Sequence, residues 1–313
     1  MLPGWNLSIL ALLLAGGVAL DAILGEMRRW HPLVGFGRLA GMLDGAFNRG
    51  GQRYGKGVFA WSLAVLPPVW LAHWLTLMND MAGLAIHALL LYFSLGLRSL
   101  REHTLPIEQA LARGDLAQAR ALTARIVSRD TGHADEGELA KAAVESLLEN
   151  GNDAVFGTLF WFMIAGGPGA LLFRLANTLD AMWGYRTPRY LAFGCAAARI
   201  DDVLNWIPAR LTALCYALLG DTRSAWQCWR TQACAWSSPN AGPVMAAGAG
   251  ALGLALGGHA SYDGIVELRP PLGNGRAAQA QDIGRAWRLV AGTVMLWTGI
   301  VMAVACMERI MHA

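Results

Sequence analysis

Between Ser128 and Arg210 four polar blocks alternate with stretches apolar enough for a bilayer. The first is Ser128-Arg129-Asp130-Thr131-Gly132, and the second holds Glu145, Glu149, Asn150 and Asp153. The third carries Asn177, Thr178 and Asp180; the fourth carries Arg199, Asp201, Asp202 and Asn205. Carboxylates in such numbers suit a hard divalent cation or the acceptance of a proton from an ammonium group. Guanidinium forks match phosphate oxygens, which makes Arg129, Arg186, Arg199 and Arg210 candidate phosphate clamps. Each of those arginines taken alone reads more often as an interfacial side chain with its stem in the apolar layer.

Spacing sharpens the carboxylates. A helix opened by Asp135-Glu136 and running to Asn150 places Glu138, Glu145 and Glu149 within about 40° of one another. That stripe is either a carboxylate wall for a cation or amine, or a solvated face; the solvated reading is the better one for Glu138 and the functional one for Glu149. Asp201 and Asn205 share a face at a helix start, and the adjacent Asp201 and Asp202 repel unless a cation sits between them. Helix capping accounts for one of these aspartates but not for Arg199, Asp202 and Asn205 together. His31-Pro32 reads as a structural pair, and the chain has no Walker pattern.

The elements that must position these groups are helices in a membrane. The 313 residues are 55% hydrophobic and only 15% charged, with a mean hydropathy of +0.37. Soluble domains carry about a quarter charged residues, so the balance favours an all-α, polytopic membrane protein. A net charge of +3 is too mild for a nucleic-acid partner and fits basic loops facing anionic lipid. The five cysteines show no paired or metal spacing and read as packing residues. Trp5–Leu24, Val58–Met78, Met81–Leu97 and Trp287–Met307 qualify as spans, the first as a retained helix and not a cleaved leader. Val203–Gly220 and Gly242–Gly257 are weaker candidates.

Val155–Ala176 is long enough to cross, but Gly166-Gly167-Pro168-Gly169 interrupts it, so a broken or re-entrant helix is expected there. A single straight crossing would separate Asp153 from the 177–202 motifs, whereas a break that returns the chain lets them meet. The basic segment Gly25–Gly57, with Arg28, Arg29, Arg38, Arg49, Arg53 and Lys56, is assigned to the cytoplasm, and Asn79-Asp80 to the outside. The division expected is 1–97 as N-terminal membrane helices, 98–153 as a cytoplasmic helical insert, and 154–313 as the C-terminal membrane region. Within the insert Thr104-Leu105-Pro106 opens a helix, and Gly114-Asp115 separates it from Leu116–Val127. No strand pattern stands out.

The ordered series of motifs resembles the CobD/CbiB family of cobalamin-biosynthesis proteins, the adenosylcobinamide-phosphate synthases. The residues that carry the resemblance run nearly end to end. They are His31-Pro32-Leu33; Ser128-Arg129-Asp130-Thr131; Glu145-Ser146 with Glu149-Asn150 and Asp153; Phe160-Trp161; Asn177-Thr178-Leu179-Asp180 with Gly184-Tyr185-Arg186; Arg199-Ile200-Asp201-Asp202 with Asn205-Trp206-Ile207-Pro208-Ala209-Arg210; Ser238-Pro239-Asn240-Ala241-Gly242; and Arg269-Pro270. The chain departs from the family at Gly25-Glu26-Met27, where Gly-Asp-Pro is usual.

The resemblance implies a multi-pass inner-membrane ligase that joins a propionate of adenosylcobyric acid to an amino-alcohol phosphate, 1-aminopropan-2-ol phosphate or ethanolamine phosphate, with ATP and Mg²⁺. Its partners are the corrinoid, the amino-alcohol phosphate, membrane lipids and other membrane enzymes of the late pathway. On this reading Asp201, Asp202 and Asn205 hold Mg²⁺-phosphate, and Arg129, Arg186 and Arg199 bind phosphates. Glu149 or Asp153 takes the proton of the attacking ammonium, Asp202 acts at the reacting centre, and Asn177, Asp180 and Asn240 orient substrate. Two rivals are an intramembrane Mg²⁺-dependent prenyltransferase, suggested by Asn177-x-x-Asp180 and Asp201-Asp202, and a non-enzymatic membrane sensor similar to AmpE.

Overall fold

A computed structural model describes residues 6–27, 31–78, 80–262 and 264–311. Trp5, Arg28 and Arg29 of the basic segment, and Asn79 of the expected external connection lie outside the described residues. The chain packs as two units, one of Met1–Gly96, Asp153–Asn205 and Thr298–Ala313, the other of Leu97–Asn152 and Trp206–Trp297. The segment expected as an insert thus falls in a unit together with 206–297.

The first unit contains α1 (Leu7–Leu24), α2 (Pro32–Phe47), α3 (Arg53–Thr76), α4 (Asp80–Ser94) and α8 (Gly157–Trp183). It also takes the start of α9 (Cys195–Leu219) and the end of α12 (Ala280–Met311). His31 opens α2 as its N-cap: Nδ1 accepts from the Leu33 N–H at 3.2 Å, and Pro32 fills the first helical position where no donor is needed. Apolar residues at helical spacing then close the core. Phe36, Ala40 and Leu43 of α2 meet Ala60, Trp61, Ala64 and Val65 of α3, and Leu175, Ala176, Leu179 and Trp183 of α8.

The expected break in Val155–Ala176 is present. Ala165 (φ −135°) and Gly166 (φ +64°) leave the helical region, the latter in a conformation that glycine adopts without strain. The His87 side chain on α4 covers the break, its Nδ1 accepting from the buried Gly167 N–H at 2.8 Å. Replacing His87 with Leu is expected to cost about 1–3 kcal/mol, because that N–H is left buried and unpaired. Thermal unfolding in detergent measures the loss. A second device serves α9, where Pro208 supplies no N–H to the Leu204 carbonyl. The Trp161 indole donates to that carbonyl at 2.9 Å, which gives the Phe160-Trp161 and Ile207-Pro208 motifs a shared structural reason.

The second unit holds α5 (Leu97–Ala112), α6 (Leu116–Thr123), α7 (Glu136–Asn150), most of α9 after Asn205, α10 (Thr222–Gln232) and α11 (Ala241–Leu252). It corrects the all-α expectation. Three strands, β1 (Leu254–Tyr262), β2 (Ile265–Gly273) and the short β3 (Arg276–Ala277), form a sheet in the order β2-β1-β3. β1 and β2 pair antiparallel as a hairpin. The Gly- and Pro-rich composition of this stretch hid the alternation that marks a strand.

Three further expectations fail for local reasons. Gly242–Gly257 is no span, since α11 has 12 residues and β1 follows it. α5 begins at Leu97 and runs through Pro106, because burial of Leu97, Ile107, Ala110 and Leu111 outweighs the lost backbone bond. α9 begins at Cys195, six residues before Asp201, so Asp201 and Asp202 lie inside the helix and do not cap it.

Among the described residues, five helices or helix runs are long and apolar enough to cross a membrane: Leu7–Leu24, Arg53–Thr76, Met81–Ala112, Glu136–Trp183 and Ala280–Met311. The chain is a multi-pass membrane protein. Val203–Gly220 belongs to α9, which does not meet that measure.

Candidate active site

The first unit gathers one polar cluster. A single turn of π-helix, Gly151–Phe156, joins α7 to α8 and carries Asp153; such turns recur at functional sites because the extra residue re-aims its side chains. Asn177 and Asp180 come from α8, Asp201, Asp202 and Asn205 from α9. Asp201 is buried, and its carboxylate accepts from Asn205 Nδ2 at 3.1 Å and Asn177 Nδ2 at 3.4 Å. Burial first, and then the charges of Asp153 and Asp180, push the Asp201 carboxyl well above the usual carboxylate range, against the pull of those two amides. Burial also raises Asp202, while Arg186 opposes the shift. Asp153, Asp180 and Asp201 are therefore electrostatic neighbours.

Arg186 and Arg199 are exposed on this unit, Arg186 facing Asp202 and Arg199 on the outer side of α9. Arg174 was not singled out by sequence, although a lone arginine in an apolar 22-residue run is itself a signal. Its Nε is buried with no hydrogen-bond partner among the described residues, and Glu26 and Asp153 are its charged neighbours.

The second unit gathers another cluster. Glu145 on α7 is 3% exposed and receives hydrogen bonds from three sides. Arg129 pairs with Oε2; Arg269 on β2 reaches Oε2 at 3.0 Å and Oε1 at 3.1 Å; the Gly257 N–H reaches Oε1 at 2.7 Å. A register shift in β1 at Leu256/Gly258, with Gly257 at φ +73°, turns that N–H inward. The Arg269 guanidinium lies 5.5 Å from the Trp236 ring centre. Arg129, Glu145, Trp236 and Arg269 line a cavity of about 560 Å³ together with Ser128, Glu149 and Asn150.

Other expected site residues take structural partners. Glu138 completes a capping box with Asp135 and is not part of a cation-binding wall; Glu145 is held by arginines. Asp130 fastens the hairpin, accepting from the Gly264 N–H at 2.7 Å and from Ser261 Oγ at 3.3 Å. Arg210 donates to Asn240 Oδ1 at 2.9 Å and to the Pro239 carbonyl at 3.1 Å, and stacks 4.4 Å from the Trp206 ring centre. Arg210 and Asn240 thus hold each other on the second unit. Arg269 was visible only as one motif among many, because no strand was expected to bring it to Glu145.

No three His, Cys, Asp or Glu side chains converge as a metal cage among the described residues. Magnesium does not need one: it keeps several waters and binds through one or two carboxylates plus phosphate oxygens. The carboxylates at 153, 180, 201 and 202, mutually repelling, fit that mode.

A multi-pass helical membrane protein with one acid-and-amide cluster and one arginine-lined cavity is the class that fold and site define. The family model described as CobD/Cbib protein matches residues 14–290, so the chain belongs to the CobD/Cbib family. It is 59% identical to the cobalamin biosynthesis protein CobD of Stutzerimonas stutzeri, over 90% of this chain and 93% of that one. It is 52% identical to the protein of the same description from Chromobacterium violaceum, over 97% and 99%, and 37% identical to that of Mycobacterium tuberculosis, over 94% of each. No solved structure matches the chain. A role in cobalamin biosynthesis follows, and neither the prenyltransferase nor the sensor reading is favoured.

Proposed function

We propose that the protein is an ATP-dependent amide synthase of the inner membrane. It would join a propionate of adenosylcobyric acid to an amino-alcohol phosphate, giving adenosylcobinamide phosphate. The observation that carries the reading is buried Asp201, held by the amides of Asn177 and Asn205 and with Asp153 and Asp180 as charged neighbours, in a membrane protein of this family. Such crowding is costly without a cation.

Amide formation from a carboxylate and an amine is uphill in water, so the carboxylate needs activation. Phosphoryl transfer from ATP to the propionate would give an acyl phosphate and ADP. Attack by the neutral amine would then form the amide and release inorganic phosphate. Asp201 and Asp202 would hold Mg²⁺ on the nucleotide phosphates, with Asn205 orienting Asp201. Bound there, the cation would neutralise charge on the phosphoryl oxygens. Arg186 and Arg199 would bind phosphates on the first unit, and Arg129 on the second. Asn177 and Asp180 would orient substrate. Glu149 or Asp153 would take the ammonium proton, since the amine must be neutral to attack.

The test is direct. Purified protein with adenosylcobyric acid, 1-aminopropan-2-ol phosphate, ATP and Mg²⁺ is expected to yield adenosylcobinamide phosphate and one ADP per amide, read by mass spectrometry. Absence of the amide with both amino-alcohol phosphates would refute the reading.

A further inference from the structure

We propose that Asp44 is a positioning residue of the first unit's site: through Arg189 it fastens the 184–194 segment so that Arg186 is aimed at the phosphates of a nucleotide bound at Asp202. That the nucleotide is ATP rests on the amide-synthase reading, whereas the clasp itself is a matter of contacts within the first unit.

The 184–194 segment joins α8 to α9, and its ends lie together, since a side chain at Gly194 would collide with the Trp183 carbonyl. A compact loop of this kind takes its shape from whatever fastens its middle. Asp44, buried on the last turn of α2, is that fastening. Its Oδ2 pairs with Arg189 and accepts from the Tyr190 hydroxyl at 3.2 Å, and its Oδ1 accepts from Asn48 Nδ2 at 2.8 Å. The Asn48 amide also donates to the Arg189 carbonyl at 3.2 Å, and Arg53 at the start of α3 donates to the Pro188 carbonyl at 3.3 Å. Burial pushes the Asp44 carboxyl up, but the hydrogen bonds from Asn48 and Arg189 outweigh it and leave it below the usual carboxylate range. The clasp is therefore charged at neutral pH.

The other side of Arg186 is fixed as well. Gly184 lies so close to Asp180 that a side chain there would collide with the carboxylate, and its N–H donates to the Asp180 carbonyl at 2.6 Å. Arg186 thus stands between an anchor two residues before it and another three residues after it. Its own side chain is exposed, faces Asp202 and makes no hydrogen bond among the described residues. A long side chain without such a contact is directed only by the backbone that carries it, so the two anchors set where its five N–H donors point. Little of the clasp's effect is stability, because Arg189 is 62% exposed and ion pairs open to solvent are weak. A mere loop staple would alter stability alone, or the affinity for every ligand alike.

Equilibrium binding of Mg²⁺·ATP to the full-length protein in detergent, together with initial rates of amide formation, separates these readings. Asp44→Asn is expected to weaken Mg²⁺·ATP about tenfold, the scale of one charged hydrogen bond. KM for ATP should rise in step, and KM for 1-aminopropan-2-ol phosphate should not change. Arg186→Gln should weaken Mg²⁺·ATP at least as much. In the double variant the affinity should be no lower than in Arg186→Gln alone, because Asp44 acts only through Arg186. Arg189→Gln opens the clasp from its exposed side and provides the same cycle should Asp44→Asn fail to fold. Losses that add in the double variant overturn the assignment. So does unaltered Mg²⁺·ATP affinity in Asp44→Asn or Arg189→Gln, and so does a wild-type protein that binds no Mg²⁺·ATP. Non-additive loss of binding without any amide product would sink the synthase reading and leave the clasp standing; amide formation with additive losses would do the reverse.

Discussion

Asp202→Asn is expected to lower the rate of amide formation by about 10²–10³-fold, the scale on which removal of one preorganised charge-stabilising group acts. Asp202 lies inside α9, next to buried Asp201 and facing Arg186. The substitution keeps shape and removes charge, so the helix and its packing should persist. The expected companion effect is a higher Mg²⁺ concentration for half-maximal rate, because one carboxylate fewer competes for the ion. Initial rates across an Mg²⁺ series measure both. Wild-type turnover in this variant would remove Asp202 from the metal assignment and move the search to Asp153 and Asp180.

The second large effect concerns stability. Glu145→Ala is expected to destabilise the protein by about 3–5 kcal/mol, the usual consequence of removing one partner from a buried charge network. Arg129, Arg269 and the Gly257 N–H would all lose their acceptor at once. Glu145→Gln retains an acceptor oxygen and the side-chain volume, so its loss should be much smaller. Denaturation of the two variants in the same detergent decides the matter. Equal midpoints would mean that the hairpin is held by its other contacts, among them Asp130 with the Gly264 N–H.

Much of this protein was legible in local sequence. Asp135 with Glu138 announced the start of α7, Asp115 that of α6, and His31-Pro32 that of α2; each depends on residues within one turn of a helix end. The main apolar runs declared the helices that can cross a membrane, and the glycine-proline run declared the break at Ala165–Gly166. Asp201 and Asn205 were paired from a four-residue spacing, and the structure joins them. Membership of the CobD/Cbib family was legible from the order of the polar motifs.

Tertiary structure decided the rest, because it depends on partners that helical periodicity does not connect. The hairpin exists through pairing of β1 with β2, and its glycines and prolines disguise both strands. Arg269 meets Glu145 across 124 positions of sequence, so a carboxylate that looked like part of an open acidic stripe became the centre of an arginine cluster. His87 and Trp161 likewise supply side-chain partners to backbone groups 80 and 43 residues away. Helix starts and apolar faces are set by neighbours a few bonds distant, whereas the charge state and direction of a buried acid are set by whatever the fold packs against it.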